Sequence, residues 1–486
     1  MEICSAVKKV LLVTWCIALL SILTLYFVGG DQLYYASVDT GDMVQATNET
    51  TELVTNTMIE QPFVFEGTKI DSIWLYGTDH NKVVGGILRL EIVDDAGKTI
   101  ANKEIDMAQF SSNNPVRITM DSAVSVTPNR QYWLRLQVVD GSEGGVPSLY
   151  YGSSISLSRG ELQLDVSESE KVTQNGVVLD GVLCYQIEGE RSLIFGQYYW
   201  CFACIAIVLL GAYSIYLWRS AKQGKNCLTL RVIVAAKKYK FLLYQLVARD
   251  FKSKYKRSVL GILWSFLNPM LMMTVQYVVF STIFKSEIEN FAVYLLSGIV
   301  CYNFFSEVTN MALTSIVGNA SLITKVYIPK YIYPISRACS SLINFGLSLI
   351  PLLCVMLVTR TPLTMAVALL PFGIVCLFML ALGIGMILAS SMVFFRDTQF
   401  LWNVFNMIWM YMTPIFYPET IISGWLSVVF KANPLYHVIR FFRVVLLNGV
   451  SPEPKAYLFC FIASVIPFVV GAMVFKRTQD RFVLYL

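Results

Sequence analysis

From Arg249 to Arg257 the chain reads Arg-Asp-Phe-Lys-Ser-Lys-Tyr-Lys-Arg and runs straight into Ser258-Val-Leu-Gly-Ile-Leu-Trp-Ser-Phe-Leu-Asn-Pro. Cations beside aromatic rings, followed at once by an apolar helix, suit an anionic headgroup or diphosphate at a bilayer surface. Lys252, Lys254, Tyr255, Lys256 and Arg257 are the expected contacts on this side. His437, Arg440 and Arg443 form a second cationic set, placed to meet a diphosphate on the opposite side. Other chemistry is not written in the chain. His80 and His437 have no His or Cys neighbour to build a metal site, no nucleophile–base constellation stands out, and no Gly-x4-Gly-Lys-Ser/Thr phosphate cradle occurs. Catalytic residues, a metal and a cofactor are therefore not expected here, and nucleic acid is not an expected partner.

Those residues need a bilayer to hold them. Hydrophobic residues make up 55% of the chain and charged residues 15%, with a mean hydropathy of +0.57, which excludes an ordinary water-soluble domain. Apolar windows of the roughly 18 residues needed to cross a bilayer fall at about 10–28, 194–217, 262–284, 291–312, 335–358, 364–393, 399–416 and 456–475. They predict eight transmembrane helices. The first, led by Lys8 and Lys9, is longer than a secretory signal's roughly 7–15 apolar residues and lacks a clear small-x-small cleavage site, so a retained anchor is expected. Residues 219–258 carry 12 Lys+Arg and one acid, Asp250. If every span crosses, Lys325, Lys330, Arg396, Lys476, Arg477 and Arg481 share their side, which the positive-inside rule makes cytoplasmic. Residues 31–192, with 11 Lys+Arg against 24 Asp+Glu, then lie outside.

The outer segment has strand periodicity. Ile70–Tyr76, Gly86–Val93, Val116–Met120 and Gln131–Val139 alternate or run apolar, separated by Asp94-Asp-Ala-Gly, Ser111-Ser-Asn-Asn-Pro and Thr127-Pro-Asn-Arg turns. Short strands at this spacing predict an all-β sandwich inserted between the first two helices. Its strand order loosely resembles jelly-roll modules that often bind carbohydrate. Trp74, Tyr76, Tyr150 and Tyr151 either stack on sugar rings or belong to the core. Cys184 is the lone cysteine of this segment, so no disulfide can form within it. Asn48-Glu-Thr fits a glycosylation sequon but arises easily by chance. The expected organisation is a first transmembrane helix in 1–30, the extracellular sandwich in 31–192 and a second transmembrane helix in 193–218. A cytoplasmic linker with an interfacial helix follows in 219–258, then a six-helix membrane domain in 259–486.

Two cytoplasmic elements stand out. Tyr239, Leu243, Val247, Phe251 and Tyr255 recur every four residues, with Leu246 beside them and cations on the other faces, as in a helix lying along a membrane surface. Residues 319–333 can start a short helix at Asn319 or Ser321 and stop near Pro329. That helix would show Leu322, Ile323, Val326 and Tyr327 to a partner groove; an ordinary interfacial turn is the plainer reading. Arg396 in the Phe395-Arg396-Asp397 turn either binds a phosphate or partner, or pairs with Asp397. Residues 414–446 are apolar but broken by Pro414, Pro418, Gly424 and Pro434, which suits re-entrant helices whose backbone is covered by protein. Trp402, Trp409, Tyr411, Phe416, Tyr417 and Tyr436 crowd this region, either lining a path or forming an interfacial belt.

Five of these motifs, in one order over about 240 residues, carry a family resemblance. Arg249-Asp-Phe-Lys-Ser-Lys-Tyr-Lys-Arg-Ser-Val-Leu-Gly-Ile-Leu-Trp-Ser-Phe-Leu-Asn-Pro, Lys325-Val-Tyr-Ile-Pro-Lys-Tyr-Ile-Tyr-Pro, Phe394-Phe-Arg-Asp, Thr413-Pro-Ile-Phe-Tyr-Pro and Asn433-Pro-Leu-Tyr-His-Val-Ile-Arg resemble the permeases of type-2 ABC exporters for O-antigen polysaccharides and teichoic acids. The resemblance implies a homodimer in a bacterial cytoplasmic membrane, clasped by two separate ATPase subunits that bind ATP and Mg. It also implies that residues 319–333 form the coupling helix, with Arg249 and Asp250 on the second contact. The first helix, sandwich and second helix are additions to the minimal family pattern. Among the acids after residue 258, Glu307 alone falls within an expected span, which disfavours ion coupling. The expected function is a permease subunit, not an enzyme, that exports a lipid-linked cell-surface polysaccharide or teichoic-acid-like polymer. An exporter of small lipids or drugs, or a membrane-anchored glycan-binding protein without transport, are the alternatives.

Overall fold

The computed structural model describes residues 2–486 apart from 41–47, 81–84, 112–114, 142–146, 153, 158–159, 164–169, 224–226, 256–260, 284–289, 326–327 and 419–424. Two units result: Tyr34–Gln197, and a helical unit built from Met1–Leu33 with Tyr198–Leu486.

The helical unit contains α1 (Glu2–Gly29), α2 (Tyr199–Lys222), α3 (Leu228–Tyr255), α4 (Trp264–Ile283), α5 (Phe291–Leu313), α6 (Ala320–Lys325), α7 (Ile332–Val358), α8 (Leu370–Phe394), α9 (Thr398–Tyr411), α10 (Trp425–Ala432), α11 (Pro434–Arg443) and α12 (Pro454–Thr478). Among the described residues, six helices are long and apolar enough to cross a membrane, ending with Pro454–Tyr485. The third expected span, 262–284, corresponds to α4, whose 20 residues reach about 30 Å at 1.5 Å per residue and whose described apolar stretch is Phe266–Val279. The expectation of eight is corrected at one place. The seventh, 399–416, is α9, whose 14 residues reach about 21 Å at 1.5 Å per residue, short of a bilayer core of about 30 Å. Thr413-Pro414 stops it, because proline disfavours helical backbone at the residue before it.

Helix α5 is the hub, with one continuous core packed around Phe305, Val308 and Leu296. Helices α8 and α12 touch backbone to backbone, since a Cβ on Gly471 would overlap the Gly383 carbonyl oxygen. Small residues permit this approach where bilayer lipid supplies no hydrophobic drive between helices. Helices α1 and α2 pair through Trp15 Nε1, which donates to Ser214 Oγ at 3.2 Å, and Tyr199 OH, which donates to the Ile22 carbonyl at 2.5 Å. Leu25 and Val28 of α1 pack onto the main core.

The second unit is a β-sandwich. Its main strands are β1 (Tyr35–Asp39), β2 (Met58–Val64), β3 (Lys69–Leu75), β4 (Gly86–Val93), β5 (Thr99–Asp106), β6 (Val116–Ser125), β7 (Gln131–Gly141), β8 (Thr173–Gln174), β9 (Val177–Val178) and β10 (Tyr185–Ser192). One sheet runs β1-β10-β3-β6 and the other β9-β8-β2-β7-β4-β5, with all of these neighbours antiparallel. Alternation puts Leu88, Leu90 and Ile92 of β4 into a core shared with Ile73 and Leu75 of β3, with Arg89 and Glu91 turned away from it. The Asp94 turn forms as its residues dictate: Asp94 Oδ1 accepts from the Ala96 and Lys98 amides at 3.0 and 2.9 Å, and Gly97 takes φ +75°. Cys184 is buried and free, and burial pushes its thiol up to about 12, leaving it inert.

Candidate functional site

Helix α3 is amphipathic as its spacing predicts. Leu246 is buried and Tyr239, Leu242 and Leu243 are half-buried against the core, while Lys237, Lys238, Lys240 and Lys252 are exposed. Asp250 falls four residues after Leu246 and so turns to the buried side. There Arg337 of α7 meets it at 3.2 Å and Arg249 at 3.0 Å. Arg249 also donates to Asn319 Oδ1 at 3.3 Å, and Asn319 Nδ2 donates to the Ser315 carbonyl at 2.7 Å. One ionic tie thus joins the interfacial helix, the turn that opens α6, and α7. Asp250, expected to face a partner, is instead this tie's buried centre.

Helix α6 sits where the short cytoplasmic helix was expected, but its faces are reversed. Ile323 is buried and Leu322 half-buried against the bundle, while Ser321, Thr324 and Lys325 are exposed. A six-residue helix lying across the end of a bundle spends its apolar side sealing that end. Val326 and Tyr327 lie outside the described residues, as do Lys256 and Arg257 of the expected diphosphate cluster. Lys254 and Tyr255 close α3.

The opposite region is built around Asn433. Its side chain caps α11 by accepting from the Leu435 amide at 3.0 Å, accepts from Trp409 Nε1 at 2.8 Å, and donates to Thr413 Oγ1 at 2.9 Å. Arg443 at the end of α11 is buried. Its Nη1 donates to the Pro414 carbonyl at 2.7 Å and its Nη2 to the Ile415 carbonyl at 3.1 Å, with the guanidinium 3.5 Å from the Tyr294 ring centre. Tyr294 OH donates to the Tyr417 carbonyl at 2.8 Å. The non-helical backbone after α9 is therefore satisfied by protein, as low-dielectric surroundings require. Arg443 is a structural clamp, which corrects its placement at a diphosphate. His437 is half-buried, with Nε2 2.7 Å from the Lys431 carbonyl and its ring stacked on Phe459, and Arg440 is exposed.

The ring set divides. Trp402, Phe416 and Tyr436 are buried packing residues, so their assignment to a channel wall is corrected; Trp409 and Tyr417 are half-buried, and Tyr411 is exposed. The open stripe on α9 is Phe400, Leu401, Val404, Phe405, Ile408 and Tyr411. Phe400 and Phe405 were missed, although their four-residue steps to Val404 and Leu401 were readable. In the sandwich, Trp74, Tyr76, Tyr150 and Tyr151 are all half-buried. Arg117 lies 5.3 Å over the Trp74 ring, beside a hollow of about 570 Å³ lined by Asp71, Ser72, Arg117 and Glu188. Among the described residues no His, Cys, Asp and Glu cluster could hold a metal.

Residues 242–447 match the family described as ABC-2 type transporter. An O-antigen export system permease protein RfbA of Myxococcus xanthus is 29% identical over 257 residues, covering 52% of this chain and 98% of the relative. A protein of the same name from Klebsiella pneumoniae is 29% identical over 243 residues, covering 50% of this chain and 93% of the relative.

Proposed function

The C-terminal half of this chain is a type-2 ABC permease domain of the O-antigen export family, and from that premise we propose that the protein is the membrane subunit of an ATP-driven exporter of a lipid-linked cell-surface polysaccharide. Two copies form the translocation unit in a bacterial cytoplasmic membrane, and two separate subunits bind ATP and Mg and press on α6. The observation that carries this reading is the tie Asn319–Arg249–Asp250–Arg337, because it converts a push on a short loop helix into joint motion of α3 and α7. Direct contact with the ATPase falls to Ser321, Thr324 and Lys325, the exposed side of α6. Lys252 and the cations after it receive the lipid diphosphate at the inner surface. The open stripe of α9 supplies apolar and aromatic wall along which sugar faces slide, stacking without tight hydrogen bonds. The sandwich lies outside the cell and recognises the polymer or caps its exit.

The test is co-expression with the partner ATPase, reading complex formation by co-purification and export by surface polymer. Arg249→Ala is expected to keep the complex and its ATP hydrolysis but lower export about tenfold. Wild-type export by that variant, or transport by the purified chain driven by an ion gradient without the ATPase, would overturn the proposal.

A further inference from the structure

Helix α3 does not lie flush on the bundle along its whole length. Its C-terminal end is held by buried Leu246 and by Asp250, and although Tyr239 and Leu243 touch the core, the stretch from Val232 to Leu243 borders a hollow of about 530 Å³. Ala236 and Tyr239 of α3, Ile335 of α7, Met386 of α8 and Ala472 and Phe475 of α12 are among its walls. Ala235, Ala236 and Ala472 contribute only methyl groups to its walls. Its size is that of a small-molecule site, and its lining is almost wholly apolar. An apolar lining offers water few hydrogen-bond partners, and beside a bilayer the available filler is hydrocarbon. Lys476, exposed and without an ion-pair partner among the described residues, lines the same cavity. Lys330 donates to the Gln479 carbonyl at 2.6 Å, holding that edge in place. An apolar slot with an unpaired ammonium at its edge complements a lipid of one particular charge.

We infer that this cavity is a binding site for one acyl chain of an anionic phospholipid, its headgroup phosphate at Lys476 and its tail wedged between α3 and the bundle. The lipid is a spacer that sets the tilt of α3, the helix that carries Arg249 and Asp250. The inference rests on the membrane placement of the helical unit and not on the cargo, so its test uses neither polymer nor ATPase.

The experiment is native mass spectrometry of the purified full chain offered phosphatidylglycerol or phosphatidylcholine, together with its thermal midpoint in each. One phosphatidylglycerol per chain is expected to survive removal of bulk detergent and to raise the midpoint. Ala236→Trp, which fills the slot, should abolish both effects, and Ala472→Phe fills it from the opposite wall should the first variant fold poorly. Lys476→Gln leaves the slot open and should lower the preference for phosphatidylglycerol over phosphatidylcholine about fivefold. Equal retention by wild type and both filled variants would overturn the site. An unchanged preference in Lys476→Gln would overturn the headgroup assignment. Retention of a polyprenyl diphosphate in place of phospholipid would overturn the occupant.

Discussion

Arg443 shows how far a single residue's environment departs from its type. It stands four and seven residues after Ile439 and Tyr436 on α11 and is buried, whereas Arg440, itself four residues after Tyr436, is exposed. Gly298 leaves it room: a Cβ there would sit 3.1 Å from Arg443 Nη2 and from Ile415 Cγ2. Arg443→Leu would strip donors from the Pro414 and Ile415 carbonyls at about 1–3 kcal/mol each, and a marked fall in the thermal midpoint of the purified chain is the expected result. Arg443→Lys should recover only part of it, since an ammonium lacks the planar fork that serves two carbonyls and a ring together. Equal midpoints for the Leu and Lys variants would show the fork to be irrelevant. In the sandwich, Glu188 is a pH-dependent strut. Burial alone would raise its pKa, but hydrogen bonding from Ser72 at 2.8 Å and the Arg117 guanidinium at 3.0 Å hold it below the ordinary carboxylate range. A group whose pKa is lowered by folding stabilises fully above its unfolded value, and that contribution disappears as pH falls through the folded value. The midpoint of the sandwich transition should therefore drop on acidification through and below the carboxylate range. Glu188→Gln should flatten that limb, and an identical acid limb in the variant would remove Glu188 from the account.

At the scale of elements, the crossing of α8 and α12 is the most sensitive joint. Gly471→Ala places a methyl on the Gly383 backbone, where no flexible side chain can give way, so the helices must separate. Overpacking of this kind costs about 1–3 kcal/mol, and the expected readout is a lower unfolding midpoint in detergent together with weaker export. Gly346, with nothing within 4 Å of an added Cβ, is the control position; a comparable loss at both would deny the crossing its special role. The elements also show what periodicity can and cannot reveal. The strand Gly86–Val93 was legible in its bounds, since Leu88, Leu90 and Ile92 meet the core while Arg89 and Glu91 between them do not. The inward turn of Asp250 was legible in principle, four residues beyond Leu246, but an acid on an apolar face reads as surface until Arg337, 87 positions away in the chain, supplies its countercharge. The reversed face of α6 was not legible, because two turns of helix contain too few residues to tell a core-facing stripe from a partner-facing one.

For the whole molecule, the sandwich is an insertion with adjoining ends: Tyr35 and Ser192 are opposite one another where β1 pairs with β10, and its core is its own. Replacing residues 34–197 by a short flexible linker should leave α1 paired with α2 through Trp15–Ser214 and Tyr199–Ile22. The expected result is unchanged co-purification of the ATPase with a change in which polymer reaches the surface. Loss of the ATPase complex in that variant would place the sandwich within the assembly machinery and remove its proposed role in choosing cargo.

Composition and periodicity alone determined that this chain crosses a membrane several times, carries an all-β insert, and contains no phosphate cradle of its own. Those properties follow from hydrocarbon length, side-chain alternation and backbone chemistry, all of which act along the chain. Only the tertiary structure decided that α9 is too short to span, that Trp402 and Arg443 are packing groups, that α6 seals its own bundle, and that a lipid-sized slot lies under α3. Each of these depends on which side chain a distant segment brings within reach, and burial of a charge or ring is a property of that meeting and not of the residue.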